Sequence, residues 1–186
     1  MRRRPRAAGP AWRTADPSWD DPLDPTYARW SGGRWNAPGS VNTLYLSESE
    51  RVARLNAQLQ ITRRLAGMPF TLDDLDPDAM PDLVEVDVAH TTLCDCRTAR
   101  GLRAVSLPAG YPTSDDGRPV SWRRCQEIGA EVVATGLAGI AARAAAPGAA
   151  HRDAELVLFT DRGPALRAVS TRAFRDWFDS DAGFGR

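Results

Sequence analysis

Between Leu83 and Ala89 the chain alternates, with Val84, Val86 and Val88 on one side and Glu85 and Asp87 on the other. A period of two predicts a strand with one wet face, the kind found in antiparallel or mixed sheets. Further strands are expected at 43–46, 139–142 and 166–170, with Leu156-Val157-Leu158-Phe159 as the clearest buried one. Helical spacing falls between them. Ser47-Glu48-Ser49-Glu50 reads as a capping box with Ser47 as N-cap. The helix it opens runs to about Ala66, turns Val52, Leu55, Leu59 and Thr62 toward the core, and stops at Gly67 before Pro69. A second helix over about 121–138 carries Cys125, Ile128, Val132 and Thr135 at the same spacing, and a short one is expected near 98–102. A terminal helix over 171–178 packs Phe174, Trp177 and Phe178. Strands and helices are interspersed without a clean crossover unit between parallel strands. The expected class is therefore α+β: a compact single domain with a mixed or antiparallel sheet and flanking helices. Residues 1–11 are expected to be a disordered basic arm, 12–178 the domain, and 179–186 a frayed tail.

Several function classes are excluded early. A chain of 186 residues has room for one core. Its 24 basic residues, all Arg, balance 24 acidic ones. A neutral body argues against a cation built to grip nucleic acid, although Arg2, Arg3, Arg4 and Arg6 give the N-terminus a local charge. No apolar run approaches the roughly 18 residues that would span a bilayer. The basic N-terminus lacks the apolar stretch of a signal peptide, so the cytoplasm is the expected compartment. Cys94 and Cys96 flank Asp95, with His90 nearby, but no C-x-x-C pair supplies a zinc framework, and no metal is expected. There is no G-x-G-x-x-G after a strand, no Lys to complete a phosphate-binding P-loop, and no G-x-S-x-G elbow. With His90 and His151 as the two histidines, a Ser-His or Cys-His nucleophile has few ways to exist.

The segment 12–40 is rich in Pro, Gly and Asp, yet it holds Trp12, Trp19, Trp30 and Trp35. Disordered segments are poor in aromatics, so this reads as an ordered loop region that covers or lines something. Within it stands Gly32-Gly33-Arg34-Trp35-Asn36-Ala37-Pro38-Gly39, followed by Leu44-Tyr45-Leu46-Ser47-Glu48-Ser49. Trp12-Arg13 lies upstream. Cys125-Gln126-Glu127-Ile128-Gly129, Gly139-Ile140 and Leu156-Val157-Leu158-Phe159 lie downstream. In this order and at these intervals the segments resemble the RES domain family over roughly residues 12–160.

The resemblance implies a fold similar to that of ADP-ribosyltransferases, with NAD held in a cleft. It implies cleavage of the nicotinamide–ribose bond of NAD+, with phosphate or water as acceptor. It also implies a possible Xre-type antitoxin as partner. By position, Arg13 and Arg34 match substrate-contacting arginines that would bind phosphates, and Tyr45 matches a substrate-contacting tyrosine. Two positions depart. The family's glutamate falls at Asn56 and its serine at Ala144.

The chemistry says why this matters. Nicotinamide leaves readily because it is already cationic in NAD+. Guanidinium forks suit a diphosphate. A carboxylate supports the oxocarbenium-like centre and holds a ribose hydroxyl, whereas Asn offers the hydrogen bond without the charge. Arg34 and Asn56 are thus the expected catalytic pair, and Arg13, Arg34 and Tyr45 the expected NAD contacts. Glu48 or Glu50 could supply the missing carboxylate. Bland readings compete: Arg34 stacked among Trp30 and Trp35, Arg13 at the surface, Tyr45 in the core, Ser47 and Ser49 as helix caps. The rival function is a non-catalytic RES-like module that binds a nucleotide or a partner protein.

Overall fold

The computed structural model describes residues 1–6 and 8–178. In chain order the strands are β1 (Arg3–Arg6), β2 (Gly9–Ala15), β3 (Thr43–Ser47), β4 (Asp82–Val88), β5 (Thr91–Cys96), β6 (Gly139–Arg143), β7 (Ala154–Phe159) and β8 (Leu166–Arg172). The helices are α1 (Thr26–Ser31), α2 (Glu50–Arg64), α3 (Ala99–Ala104), α4 (Trp122–Ala134) and α5 (Phe174–Trp177). The strands form one mixed sheet in the order β1-β5-β6-β7-β3-β2-β4-β8. Its neighbours run antiparallel except β5 and β6, which are parallel and joined through α3 and α4. The fold is α+β, with one crossover that the sequence reading lacked.

One junction in this sheet differs from the rest. β2 pairs with β4 through seven consecutive residues, and β3 pairs with β7 through five. Between β2 and β3 there is a single partnered pair, Trp12 with Ser47. The sheet therefore opens along this line.

Packing follows from strand alternation. On one side, α3 and α4 bury Leu102, Cys125, Ile128 and Val132 against Cys94, Cys96, Ile140 and Val157, with Trp35 and Tyr111 completing the cluster. On the other, Leu44, Leu46, Leu156 and Leu158 meet Ala11, Ala15, Val84, Val86 and Val88. A third cluster joins Ala53, Ala57 and Ile61 of α2 to Phe174, Trp177 and Phe178. The three cysteines are free and buried.

Several expectations need correction. The arm at 1–11 is not disordered where described. Arg3–Arg6 pairs with Thr91–Cys94, and β2 begins at Gly9. The frayed tail, 179–186, lies outside the described residues. Helix α2 is capped by Ser49, whose hydroxyl accepts from Val52 N, while Ser47 ends β3. The face of α2 buried in the core is Val52, Ala53, Ala57 and Ile61. Leu55, Leu59 and Thr62 are half-buried, and Leu59 lines the gap in the sheet.

Helix α4 approaches the loop of Trp35 so closely that a Cβ on Gly129 would overlap the Trp35 carbonyl oxygen. The contact is to backbone, which cannot rotate away. Gly129→Ala is expected to lower unfolding free energy by about 1–3 kcal/mol, the usual range for overpacking. Urea unfolding of the two proteins measures it.

Candidate functional site

The opening between β2 and β3 is a cavity of about 550 Å³, within the range of small-molecule sites. Arg13, Arg34, Tyr45 and Asn56 all line it, together with Ser47 and Glu155. These residues come from β2, β3, β7, α2 and the loop after α1.

Register explains the sheet side. On β3, Tyr45 and Ser47 share one face while Leu44 and Leu46 point to the core behind. On β7, Glu155 shares a face with Val157, and Leu156 points behind. The pairing sets Tyr45 opposite Val157 and Ser47 opposite Glu155. A hydroxyl and a carboxylate are thereby side by side on the cavity face. Helix α2 crosses above them. Asn56 Nδ2 donates to Glu155 Oε1 at 3.0 Å and to Ser47 Oγ at 3.4 Å.

The glycine–arginine–tryptophan loop is fixed through Tyr45. The Tyr45 hydroxyl accepts from Trp35 N at 2.9 Å and donates to Asn36 Oδ1 at 2.7 Å. Asn36 Nδ2 donates to the Ala28 carbonyl at 2.7 Å, and Gln126 Nε2 to the Gly33 carbonyl at 2.9 Å. A side chain on Gly33 would overlap the Tyr45 ring and hydroxyl, so this position has room for hydrogen alone. Burial pushes the Tyr45 phenol well above its ordinary range, so it stays a neutral donor. Tyr45 is accordingly both a cavity wall and the anchor of the Arg34 loop.

The two arginines are held differently. Arg13 is 8% exposed, its guanidinium lying 5.3 Å from the Trp19 ring centre. Its Nη2 donates to the Asp24 carbonyl at 3.1 Å, while the buried Nη1 has no hydrogen-bond partner. Burial lowers its pKa to about 10 against the opposing fields of Asp21 and Asp24. It stays charged at neutral pH, and an unsatisfied donor beside a cavity is a ready anion contact. Arg34 makes one long contact, 3.4 Å, from Nη1 to the Val120 carbonyl, and its guanidinium lies 5.9 Å from the Trp122 ring centre. The competing reading, Arg34 stacked among Trp30 and Trp35, is replaced by Trp122 as its ring, while Trp30 meets Arg29.

Glu48 and Glu50 do not supply a carboxylate to this space. Glu48 is paired with Arg97 and Glu50 with Arg172, each at 2.5 Å, and neither lines the cavity. Ala144 is buried, with its N–H bonded to the Asp153 carbonyl, and it is Ala145 and Ala146 that reach the cavity wall. Sequence reasoning missed two polar groups. Ser47 was read as a cap, and Glu155 fell one residue outside the predicted strand. Extending the 156–159 strand by one residue at period two would have placed Glu155 on the Val157 face.

The profile of the RES domain family matches residues 6–180. The chain belongs to the RES domain family. It is similar in structure to a chain of the M. tuberculosis MbcT–MbcA toxin–antitoxin complex, solved by crystallography, with a TM-score of 0.72 and 20% sequence identity over 93% of this chain and 90% of that one. At that identity the likeness establishes a shared fold. No relative among curated proteins matches the sequence. Within the RES domain, the cavity is built by β2, the glycine–arginine–tryptophan loop, β3, the helix α2 that crosses it, and β7.

Burial raises the pKa of Glu155, opposed by the Asn56 hydrogen bond, the positive field of Arg34 and the Ala145 N–H. The sign is fixed by linkage. A carboxyl whose folded pKa exceeds its unfolded one costs stability as pH climbs past the ordinary Glu range, and the cost is fully present above the folded value. Glu155→Gln keeps an acceptor for Asn56 and removes the charge. Its melting temperature should exceed that of the parent at pH 7–8, and the gain should shrink on acidification toward about pH 4. Calorimetry across that range checks it.

Proposed function

We propose that this RES domain protein is a toxin-like enzyme that binds NAD+ and cleaves its nicotinamide–ribose bond, with water or phosphate as acceptor. The observation that carries the reading is the convergence of Arg13 and Arg34 on one cavity from separate elements, Arg13 with a buried guanidinium nitrogen left without a partner. A diphosphate is the ligand that two guanidinium groups neutralise by forked contacts. Tyr45 forms an aromatic wall beside them and would contact the nicotinamide ribose. Asn56 would orient a ribose hydroxyl. A cavity of about 550 Å³ accommodates the reacting half of such a dinucleotide, with the mouth left for the rest.

The reading extends to a partner. The structural neighbour was crystallised as a toxin–antitoxin complex, which supports an antitoxin, in our reading of Xre type, for this chain. Tyr27 and Trp122 are exposed at the cavity rim, with Trp30 beside Tyr27's helix turn at 72% exposure. Exposed aromatics around a cavity mouth suit a protein that must cover it.

A second reading keeps the cleft without the chemistry. It is favoured by Asn56 and Ala144 standing where the family's glutamate and serine fall. The two readings separate in one experiment. Mass-spectrometric assay of purified protein with NAD+ should show nicotinamide release, and calorimetry should show NAD+ binding. Arg13→Ala and Arg34→Ala should each weaken that binding by about 10–100-fold, the worth of a charge-assisted hydrogen-bond pair. Binding with no release at high enzyme concentration selects the non-catalytic module, and absence of both ends the NAD+ reading.

A further inference from the structure

The NAD+-cleaving reading needs a negative charge at the ribose, and position 56 has none to give. Among the described residues, Asp16 and Glu155 are the carboxylates that line the cavity, while Asp21 and Asp24 lie beside Arg13. Glu48 and Glu50 are neutralised by Arg97 and Arg172. Asp16 lines the cavity, but one of its oxygens is taken by both the N–H and the hydroxyl of Ser18, 3.0 and 2.6 Å away. Glu155 remains. It is opposite Ser47 in the sheet, it lines the cavity, and among the described residues it has no ion-pair partner within 4 Å.

We infer that Glu155 is the catalytic carboxylate of this chain, reaching from β7 the space that a glutamate on α2 would otherwise fill, with Asn56 as its positioning residue. The assignment rests on the NAD+-cleaving reading. Its geometric support is the 3.0 Å bond between Asn56 Nδ2 and Glu155 Oε1, which puts the charge one hydrogen bond from position 56. The amide stands on α2 and the carboxylate on β7, joined as one bonded pair. The bond uses one oxygen of Glu155 and fixes its rotamer. Ser47 supplies a hydroxyl at the same point, 3.4 Å from the Asn56 amide, although Ala144 offers none. Glu155 is half-buried in the cavity wall, where the Asn56 amide and the positive field of Arg34 favour its charged form.

The step balances as follows. The bond between the ribose C1 and the nicotinamide nitrogen breaks, and both electrons leave on that nitrogen, cancelling its positive charge. The charge passes to C1 and the ring oxygen, where the Glu155 carboxylate stabilises it and accepts a hydrogen bond from a ribose hydroxyl. A water oxygen then bonds to C1, and the proton it loses goes to Glu155 and on to solvent. The products are ADP-ribose, nicotinamide and one proton.

The test measures nicotinamide release and NAD+ affinity for the full chain, Glu155→Gln, Glu155→Asn and the exchange variant Asn56→Glu/Glu155→Asn. Glu155→Gln should lose about 10²–10³-fold in turnover, the usual cost of a preorganised electrostatic group, with affinity changed by no more than about threefold. The exchange variant should regain at least about tenfold over Glu155→Asn, because the charge returns to the same bonded pair. An active parent whose Glu155→Gln variant stays within about threefold overturns the assignment and leaves the NAD+ reading intact. A parent that binds but never cleaves NAD+ overturns both. Should Glu155→Gln fail to fold, a folded exchange variant without activity overturns the assignment, and recovery supports it.

Discussion

The parting of β2 from β3 after one backbone pair governs this molecule. The flanking ladders β2–β4 and β3–β7 are continuous, and a continuous ladder across this junction would leave no volume for a ligand. Trp12 and Ser47 form the last rung, and the cavity begins beyond it. Both flanks are secured by strands outside the gap: β4 holds β2 along its whole length, and β7 holds β3. The opening is therefore rigid on each side although its two sides share little hydrogen bonding. Arg13 on one lip and Tyr45 and Ser47 on the other face a space that neither half-sheet could define alone.

Tyr45 couples the lip to the loop. Its hydroxyl is consumed by Trp35 and Asn36, its ring fills the room that Gly33 leaves vacant, and Gln126 on α4 clamps the same turn. Arg34 thus stands on a loop with the stiffness of a regular element. Two consecutive glycines precede Arg34 because a Cβ on Gly32 would overlap the Pro38 ring and one on Gly33 the Tyr45 ring. The Gln126–Gly129 stretch of α4 is demanded in turn, since its glycine lets the helix approach the Trp35 carbonyl.

Much of this was legible in residue patterns and some was not, for physical reasons. Strands β3, β4, β6, β7 and β8 declare themselves by alternation or by short apolar runs. β5 does not, because Thr91–Cys96 buries Asp95, whose carboxylate is satisfied by Arg97 N, Thr98 N and the Thr98 hydroxyl and so serves the start of α3. β1 and β2 hide behind Gly9, Pro10 and a run of arginines, residues that ordinarily mark loops; β1 is an edge strand, where Pro5 is tolerated. Ser49 is the cap although Ser47 carries the glutamate three residues on, because pairing with Glu155 keeps Ser47 in the strand. Arg13, Arg34, Tyr45 and Asn56 were visible as a set through the family pattern, and they do share one cavity. The face of Glu155 is legible from strand period, but its pairing with Asn56 is not, because the two stand 99 residues apart in sequence.

The burial of all three thiols has an experimental consequence of its own. Cys94, Cys96 and Cys125 lie within the cluster that α3 and α4 close over the sheet, each with essentially no exposed surface. An alkylating reagent therefore reaches them only when that layer lifts away, and sulfhydryl modification kinetics report the opening frequency of the helical cover. The chain carries a built-in chemical clock for its own breathing, and a ligand or protein that damps those excursions would register as slower labelling without any engineered probe.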